Sequence, residues 1–196
     1  VVDRAAAAES PPFVPAAADA RGVAIAAPAP LPRSPFGEHP ASVISLPAVA
    51  NFLAVSGSSA YGREDEFAFA VHRTNFDLVV IDPFHGRKPL GNRAVETLRF
   101  KNLGARRLVL ARLDIGTAAS YLPYWQPAWT ALAPPWIGAP VAGDPDRFHV
   151  DYWAPDWREL VAGDSGSLVY GLVAQGYDGV VLDGLESYRY FEGDAP

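Results

Sequence analysis

The chain is 196 residues long, 49% hydrophobic and 12% aromatic, with a net charge of −6 and neither cysteine nor methionine. That is enough apolar material for one good core, and the acidic balance argues against a nucleic-acid partner, which would want clustered Lys and Arg. The lack of cysteine excludes disulfides and thiolate metal sites, and no run reaches the roughly 18 apolar residues of a membrane span.

Residues 1–47 hold nine of the 19 prolines. Ala5 to Ala8 could make one helical turn, which Pro11, Pro12 and Pro15 stop. Pro28, Pro30, Pro32 and Pro35 then favour an extended, polyproline-like path. This segment reads as an extended Ala/Pro-rich arm or linker, and such an arm needs a surface to lie on, its own domain or a partner. The Ala/Pro-rich start and the missing initiator lead to the expectation of a processed, extracytoplasmic chain, periplasmic or secreted.

Residues 48–196 read as the folded domain. Asn51 to Gly57 is the first expected strand, and Glu64 to Arg73 a short helix with Phe67 and Val71 on one face. Phe76 to Asp82 is the second strand, and Asn92 to Asn102 a helix stopped by Gly104. Arg107 to Asp114 is the third strand, and Thr117 to Leu122 starts a helix that Pro123 and Pro127 interrupt. The short Phe148 to Asp151 is the fourth strand. A helix broken near Gly163 to Gly166 fills Pro155 to Gln175, with Gly176 as its cap, and Asp178 to Leu182 is the fifth strand. Apolar runs recurring about every 35 residues with helices between them are the mark of βα units on a parallel sheet.

Four aspartates close these runs: Asp82, Asp114, Asp151 and Asp183. In parallel sheets ligands bind beyond the carboxyl ends of the strands, where these side chains would stand. An Asp at a strand end also commonly caps the next turn or helix. All five tryptophans, Trp125, Trp129, Trp136, Trp153 and Trp157, fall in one stretch with Tyr121, Tyr124 and Tyr152. Such a cluster either fills a core or lines a groove on which sugar rings stack. The four histidines show no metal-ligand spacing, and His85 follows Asp82 in a loop where it could touch a ligand. No nucleotide motif is present, and neither a metal nor a cofactor is expected.

Four pieces in order carry a family resemblance: Phe76 to Asp82, Val109 to Gly116 with Tyr121, Tyr124 and Trp125, Val150 to Trp157, and Gly176 to Tyr188. From about residue 50 onward the chain resembles the glycoside hydrolase family 114-like barrels, related to endo-α-1,4-polygalactosaminidases. The resemblance implies an α/β fold of the (β/α) TIM type with a glycosidase-like groove at its C-terminal face. It implies Asp183 as a catalytic carboxylate, matches Asp82 to the carboxylate closing the second strand, and places the family's second catalytic carboxylate on a later strand. Asp183 and Asp82 are the catalytic candidates here if the protein is active. Glu186 falls where relatives commonly carry an Asp, and with the strand-end Asp114 and Asp151 and the aromatic Tyr124, Trp125 and Trp153 it makes up the expected substrate contacts. The resemblance implies an amino-sugar polymer as the ligand. Two departures stand out. Relatives carry Ser-Ile-Gly-Glu after the third strand, whereas this chain has Asp114-Ile-Gly-Thr117, and about five βα units are countable where a full barrel has eight.

Two expectations follow. One is a non-catalytic accessory or structural subunit of a larger, membrane-associated assembly, built on an incomplete barrel of about five βα units and contacting other subunits through residues 1–47 and the open barrel edge. Having no span of its own, it would attach to a membrane peripherally. The other is a secreted polysaccharide hydrolase, or a sugar-binding module without turnover. Glycoside hydrolysis needs two carboxyl groups across the scissile bond, so the second carboxylate decides between them.

Overall fold

A computed structural model describes residues 21–26, 30–32, 34 and 37–193. The helical turn expected at Ala5 to Ala8 and its prolines lie outside them. The elements, in chain order, are β1 (Arg21–Ala26), β2 (Asn51–Ser56), α1 (Glu64–His72), β3 (Leu78–Ile81), β4 (Phe84–His85), β5 (Lys88–Pro89) and α2 (Asn92–Leu98). They continue with β6 (Leu108–Asp114), β7 (Thr117–Ala119), β8 (Ile137–Val141), β9 (Asp144–Val150), α3 (Pro155–Ala162), α4 (Leu168–Gln175), β10 (Gly179–Asp183) and α5 (Tyr188–Glu192).

Five strands form one parallel sheet in the order β1-β2-β3-β6-β10. Each strand therefore pairs with the parallel strand before it in the chain, and the sheet winds in one direction. The sheet is a mixed α/β architecture, as the spacing of apolar runs predicts. Four of its strands stand where the sequence places them, at 51–56, 78–81, 108–114 and 179–183.

The fifth does not. Phe148 to Asp151, expected as the fourth parallel strand, instead ends in β9 of a separate antiparallel sheet ordered β7-β9-β8. The reason lies in its alternation: Phe148 and Val150 bury into an aromatic core, while His149 faces the other way, the pattern of a hairpin strand covered on one face. Thr117 to Leu122, expected as a helix, begins as β7. Asp114 turns the chain back by accepting the Gly116 and Thr117 N–H groups, both at 2.9 Å, and β7 then pairs with β9.

β6 pairs directly with β10 instead, and the fifth strand of the sheet is β1, at the opposite edge beside β2, from the segment expected to be an extended arm. Arg21 to Ala26 pairs in register with Asn51 to Ser56 and satisfies backbone groups that β2 would otherwise leave open at an edge. Residues 39–43 of that segment lie on the domain. Val43 is fully buried and donates its N–H to the Arg106 carbonyl at 2.9 Å. The buried Lys101 ammonium bonds the His39 and Ala41 carbonyls at 2.7 and 3.0 Å, and Asp77 at 2.6 Å. This ties residues 39–43 across the N-terminal end of the sheet.

Strand alternation divides the core. Leu53, Val55, Val79, Ile81, Val109 and Ala111 bury under the helices together with Phe67 and Val71 of α1 and Val95 and Leu98 of α2. On the other face Leu78, Leu108 and Leu110 meet Val43 and Val49, with Phe52 and Val80 only partly covered. Within the helical layer, α1 starts on a carboxylate: Glu66 accepts the Arg63 N–H at 2.7 Å, and Glu64, Asp65 and Glu66 all sit in the first turn, where the exposed N–H groups favour negative charge. The expected break in the helix at 163–166 separates α3 from α4. No helix among the described residues is long and apolar enough to cross a membrane.

Candidate functional site

The C-terminal ends of β2, β3, β6 and β10 open into one cleft of about 490 Å³. Asp82, Asp114, Asp183, Glu186 and Tyr124 all line it, as do Arg112, Tyr121 and Arg147. Six of these eight are sequence candidates or belong to the quoted motif pieces as tyrosines, so the topology brings most of the expected site together. Asp151, Trp125 and Trp153 are not among the lining residues.

Asp82, which follows β3, is engaged at both oxygens. One accepts the Gly57 N–H at 2.9 Å. The other accepts Arg112 Nε at 2.8 Å and stands 2.7 Å from Arg112 Nη2. The guanidinium then reaches Asp183, with Nη1 3.5 Å from Oδ2. A single arginine on the middle strand thus lies between the carboxylates of the strands on either side. Its side chain is 42% exposed and that of Asp183 45%, so this row faces the open cleft.

Asp183 itself accepts the Gly184 N–H at 2.9 Å. Gly184 has φ of 74°, a left-handed conformation that favours glycine, and an added Cβ would collide with the Asp114 carboxylate. Gly116 is as constrained: a Cβ there would strike Ser187 Oγ and the Gly184 carbonyl. The turns after β6 and β10 are therefore packed backbone to backbone, which fixes the spacing of Asp114, Asp183 and Glu186. Glu186 is exposed and lines the same cleft.

Asp114 has a structural setting. Besides the two turn N–H groups it accepts Thr117 Oγ1 at 2.5 Å and Arg147 Nη1 at 2.8 Å. Arg147 also donates to Thr117 Oγ1 at 3.0 Å and to the Tyr121 hydroxyl at 2.7 Å. Burial weighs against the Arg147 charge, but Tyr121, Asp114 and Asp144 outweigh it and hold its pKa above the ordinary value. Burial pushes the Tyr124 phenol up to about 12 against the opposing Ala119 N–H, which it accepts at 3.0 Å. At the rim, His85 Nδ1 stands 3.2 Å from Ser58 Oγ.

Arg112 and Arg147 are the charged cleft-lining residues that sequence reasoning missed. The signal for Arg112 was present: Leu108, Leu110, Arg112 and Asp114 alternate along β6 and share a face, so a cation was bound to stand beside the strand-end acid. Arg147 carries no such signal, since its place depends on the β7–β9 pairing.

The tryptophans divide four to one. Trp125 stacks on Phe148 with centroids 5.1 Å apart, and Trp125, Trp129, Trp136 and Trp157 contact one another in sequence at 5.0–5.5 Å. They form a second core beside Leu113 and Ile137. Trp153 is 51% exposed, braced edge-on by Tyr152 and Phe191 at 4.9 and 4.7 Å. Asp151 begins the turn into α3, its carbonyl accepting the Ala154 N–H at 2.7 Å. Among the described residues no three His, Asp or Glu side chains are placed to hold a metal ion.

No family model matches the chain. It is similar to uncharacterized proteins of Deinococcus radiodurans (32% identical over 120 residues, 61% of this chain) and Thermotoga maritima (27% over 121 residues, 62%). It is also similar to one of Methanocaldococcus jannaschii, 27% identical over 132 residues, or 67% of this chain. The matched region spans little more than a third of each relative, 36%, 36% and 37% respectively.

Proposed function

We propose that the chain carries a carbohydrate-binding cleft on a (β/α) TIM-type barrel of the glycoside hydrolase family 114-like kind, and that it binds sugar without cleaving it. We further propose that it acts as an accessory subunit of a larger extracytoplasmic assembly. One observation carries the non-catalytic reading. The Arg112 guanidinium lies between Asp82 and Asp183, this chain's two candidate catalytic carboxylates. A glycosidase holds its two carboxyls roughly 5–9.5 Å apart with the scissile bond between them, whereas here a cation anchored to one acid fills the interval. The one-way winding of the parallel sheet supports the barrel, because each added βα unit extends it in the same sense.

The subunit role draws on the flank of β10. Val181 and Leu182 of β10 and Tyr170 and Val173 of neighbouring α4 are exposed. Beside them a groove of about 530 Å³ is lined by Ile115, Tyr152, Trp157, Val161, Val169 and Leu182. A groove flanked by exposed apolar side chains is a surface by which proteins commonly meet partners.

A second reading, a hydrolase of α-1,4-linked amino-sugar polymers, is favoured by Glu186, an exposed carboxylate in the same cleft as Asp183, and by the greater length of the relatives, which leaves room for a second acid. The test is to incubate the purified chain with an α-1,4-galactosamine polymer and follow binding by calorimetry and new reducing ends together. Binding without product is expected. Product that vanishes in Asp183→Asn establishes the hydrolase, and absence of both signals removes the carbohydrate reading. Native mass spectrometry of protein isolated gently from its source should find it with other subunits; a free monomer would end the assembly role.

A further inference from the structure

Asp82 and Arg112 divide their work unequally. Asp82 presents one oxygen to the Gly57 N–H and the other to two nitrogens of Arg112, so about three of its four acceptor sites are engaged inside the protein. The fork is asymmetric. Nε and Nη2 lie within 2.8 Å of Asp82, while Nη1 stands 3.5 Å from Asp183, too far for a strong charge-assisted bond. Nη1 is thereby held at a fixed angle with donors to spare, beside a half-exposed carboxylate on one side and within the cleft that Glu186 also lines.

From this, and resting on the carbohydrate reading, we infer that Asp82 is a positioning residue that does not itself meet the ligand, and that Arg112, which it aims, is the ligand-contacting group, paired in recognition with Asp183. The cleft then offers one donor edge and two acceptors across neighbouring strand ends. That suits a pyranose with adjacent oxygen acceptors and hydroxyl or amine donors. It also gives Arg112 a purpose other than obstruction: the cation that separates the two acids is what reads the sugar. A lysine cannot substitute fully, because a point charge lacks the fork that Asp82 holds by two nitrogens.

A double-mutant cycle on binding of α-1,4-galactosamine oligomers separates this from a structural role. Arg112→Ala should weaken binding roughly tenfold or more, the scale of a lost charge-assisted hydrogen bond. Arg112→Lys should fall between it and the native chain. Asp82→Asn should weaken binding several-fold, and Asp82→Asn combined with Arg112→Ala should be no worse than Arg112→Ala alone, because Asp82 acts only through Arg112. Additive losses overturn the inference by showing that Asp82 touches the ligand itself. Unchanged or tighter binding in Arg112→Ala overturns it by showing the arginine to be only a clamp. If the native chain binds no oligomer, the carbohydrate reading falls and the inference with it, an outcome distinct from the other two. Melting temperatures of all variants, expected within a few degrees of the native chain for an exposed pair, separate lost recognition from lost fold.

Discussion

At the N-terminal end of the sheet Asp77 and Lys101 meet at 2.6 Å with both side chains wholly buried. At the C-terminal end Asp82 and Arg112 meet at 2.7 Å with 24% and 42% of their side chains exposed. The two aspartates flank the same strand, β3, five residues apart, yet their surroundings differ throughout. Asp77 accepts the Ala50 N–H at 2.9 Å as well as the lysine, and Lys101 spends its remaining donors on two carbonyls. Nearby, buried Arg107 donates to Thr74 and to the His72 and Phe100 carbonyls. Burial pulls its pKa down to about 10 against the opposing charge of Asp77. The lower network is buried, with Asp77, Lys101 and Arg107 each tied to backbone at that end of the sheet. The upper one is open, with an arginine nitrogen and two carboxylates facing the cleft. A parallel sheet stores stability at one end and chemistry at the other.

Lys101→Ala should produce the largest effect. It leaves Asp77 buried without the lysine's charge and releases the His39 and Ala41 carbonyls, and the expected loss is about 3–5 kcal/mol, read as a lower urea midpoint. A loss near that of an exposed pair would break the contrast. Asp114→Ala comes next. It removes the acceptor for two turn N–H groups, for Thr117 and for Arg147, and should cost about 1–3 kcal/mol. This variant sharpens the comparison because Asp114 stands at the open end but has a closed set of partners, so its behaviour should resemble the lower network. Arg112→Ala should shift stability by less than about 1 kcal/mol, and if it proves as damaging as Lys101→Ala then the upper row is scaffold.

The sequence makes some of this division legible. Strands 51–56, 78–81, 108–114 and 179–183 carry dense β-branched and leucine runs, and the helices between them carry apolar residues at helical spacing, so local pattern and tertiary role agree. The strand-end acids could be placed at one face for the same reason. What escaped was set by pairing. Arg21 to Ala26 is a strand because β2 offers it an edge, and its Ala/Pro-rich neighbourhood points to an arm. Phe148 to Asp151 lies at a spacing close to that of the parallel strands, and only its hairpin partner β8 and the aromatic core beneath reveal it as antiparallel. The tryptophans cluster in sequence whether they build a core or a groove. Four became core because α3 and the β7–β9 sheet supply a layer for them, with Trp157 donating Nε1–H to the Ile115 carbonyl at 2.9 Å. Arginines inside apolar runs read as interruptions, although the alternation of β6 directs Arg112 to the acids.

The smallest expected effect concerns the boundary of the open end, where His149 stacks flat on Tyr190 with centroids 3.7 Å apart and 6° between planes. Burial holds the ring's pKa below its ordinary 6.5 against the opposing pull of Asp114. The folded state therefore binds a proton less readily than the unfolded chain. The stability this contributes is fully present above about pH 6.5 and is lost as pH falls through the lower folded value. His149→Phe keeps a flat ring against Tyr190 and removes the titration. Urea midpoints of the native chain and the variant, compared at pH 7.5 and pH 5.5, should draw apart in the variant's favour at the lower pH. Because both chains share every other titrating group, the difference isolates this ring. A gap that does not change with pH would mean that the stacked histidine takes up its proton as freely as in the unfolded chain, and that the open end of the sheet reaches further into solvent than its packing implies.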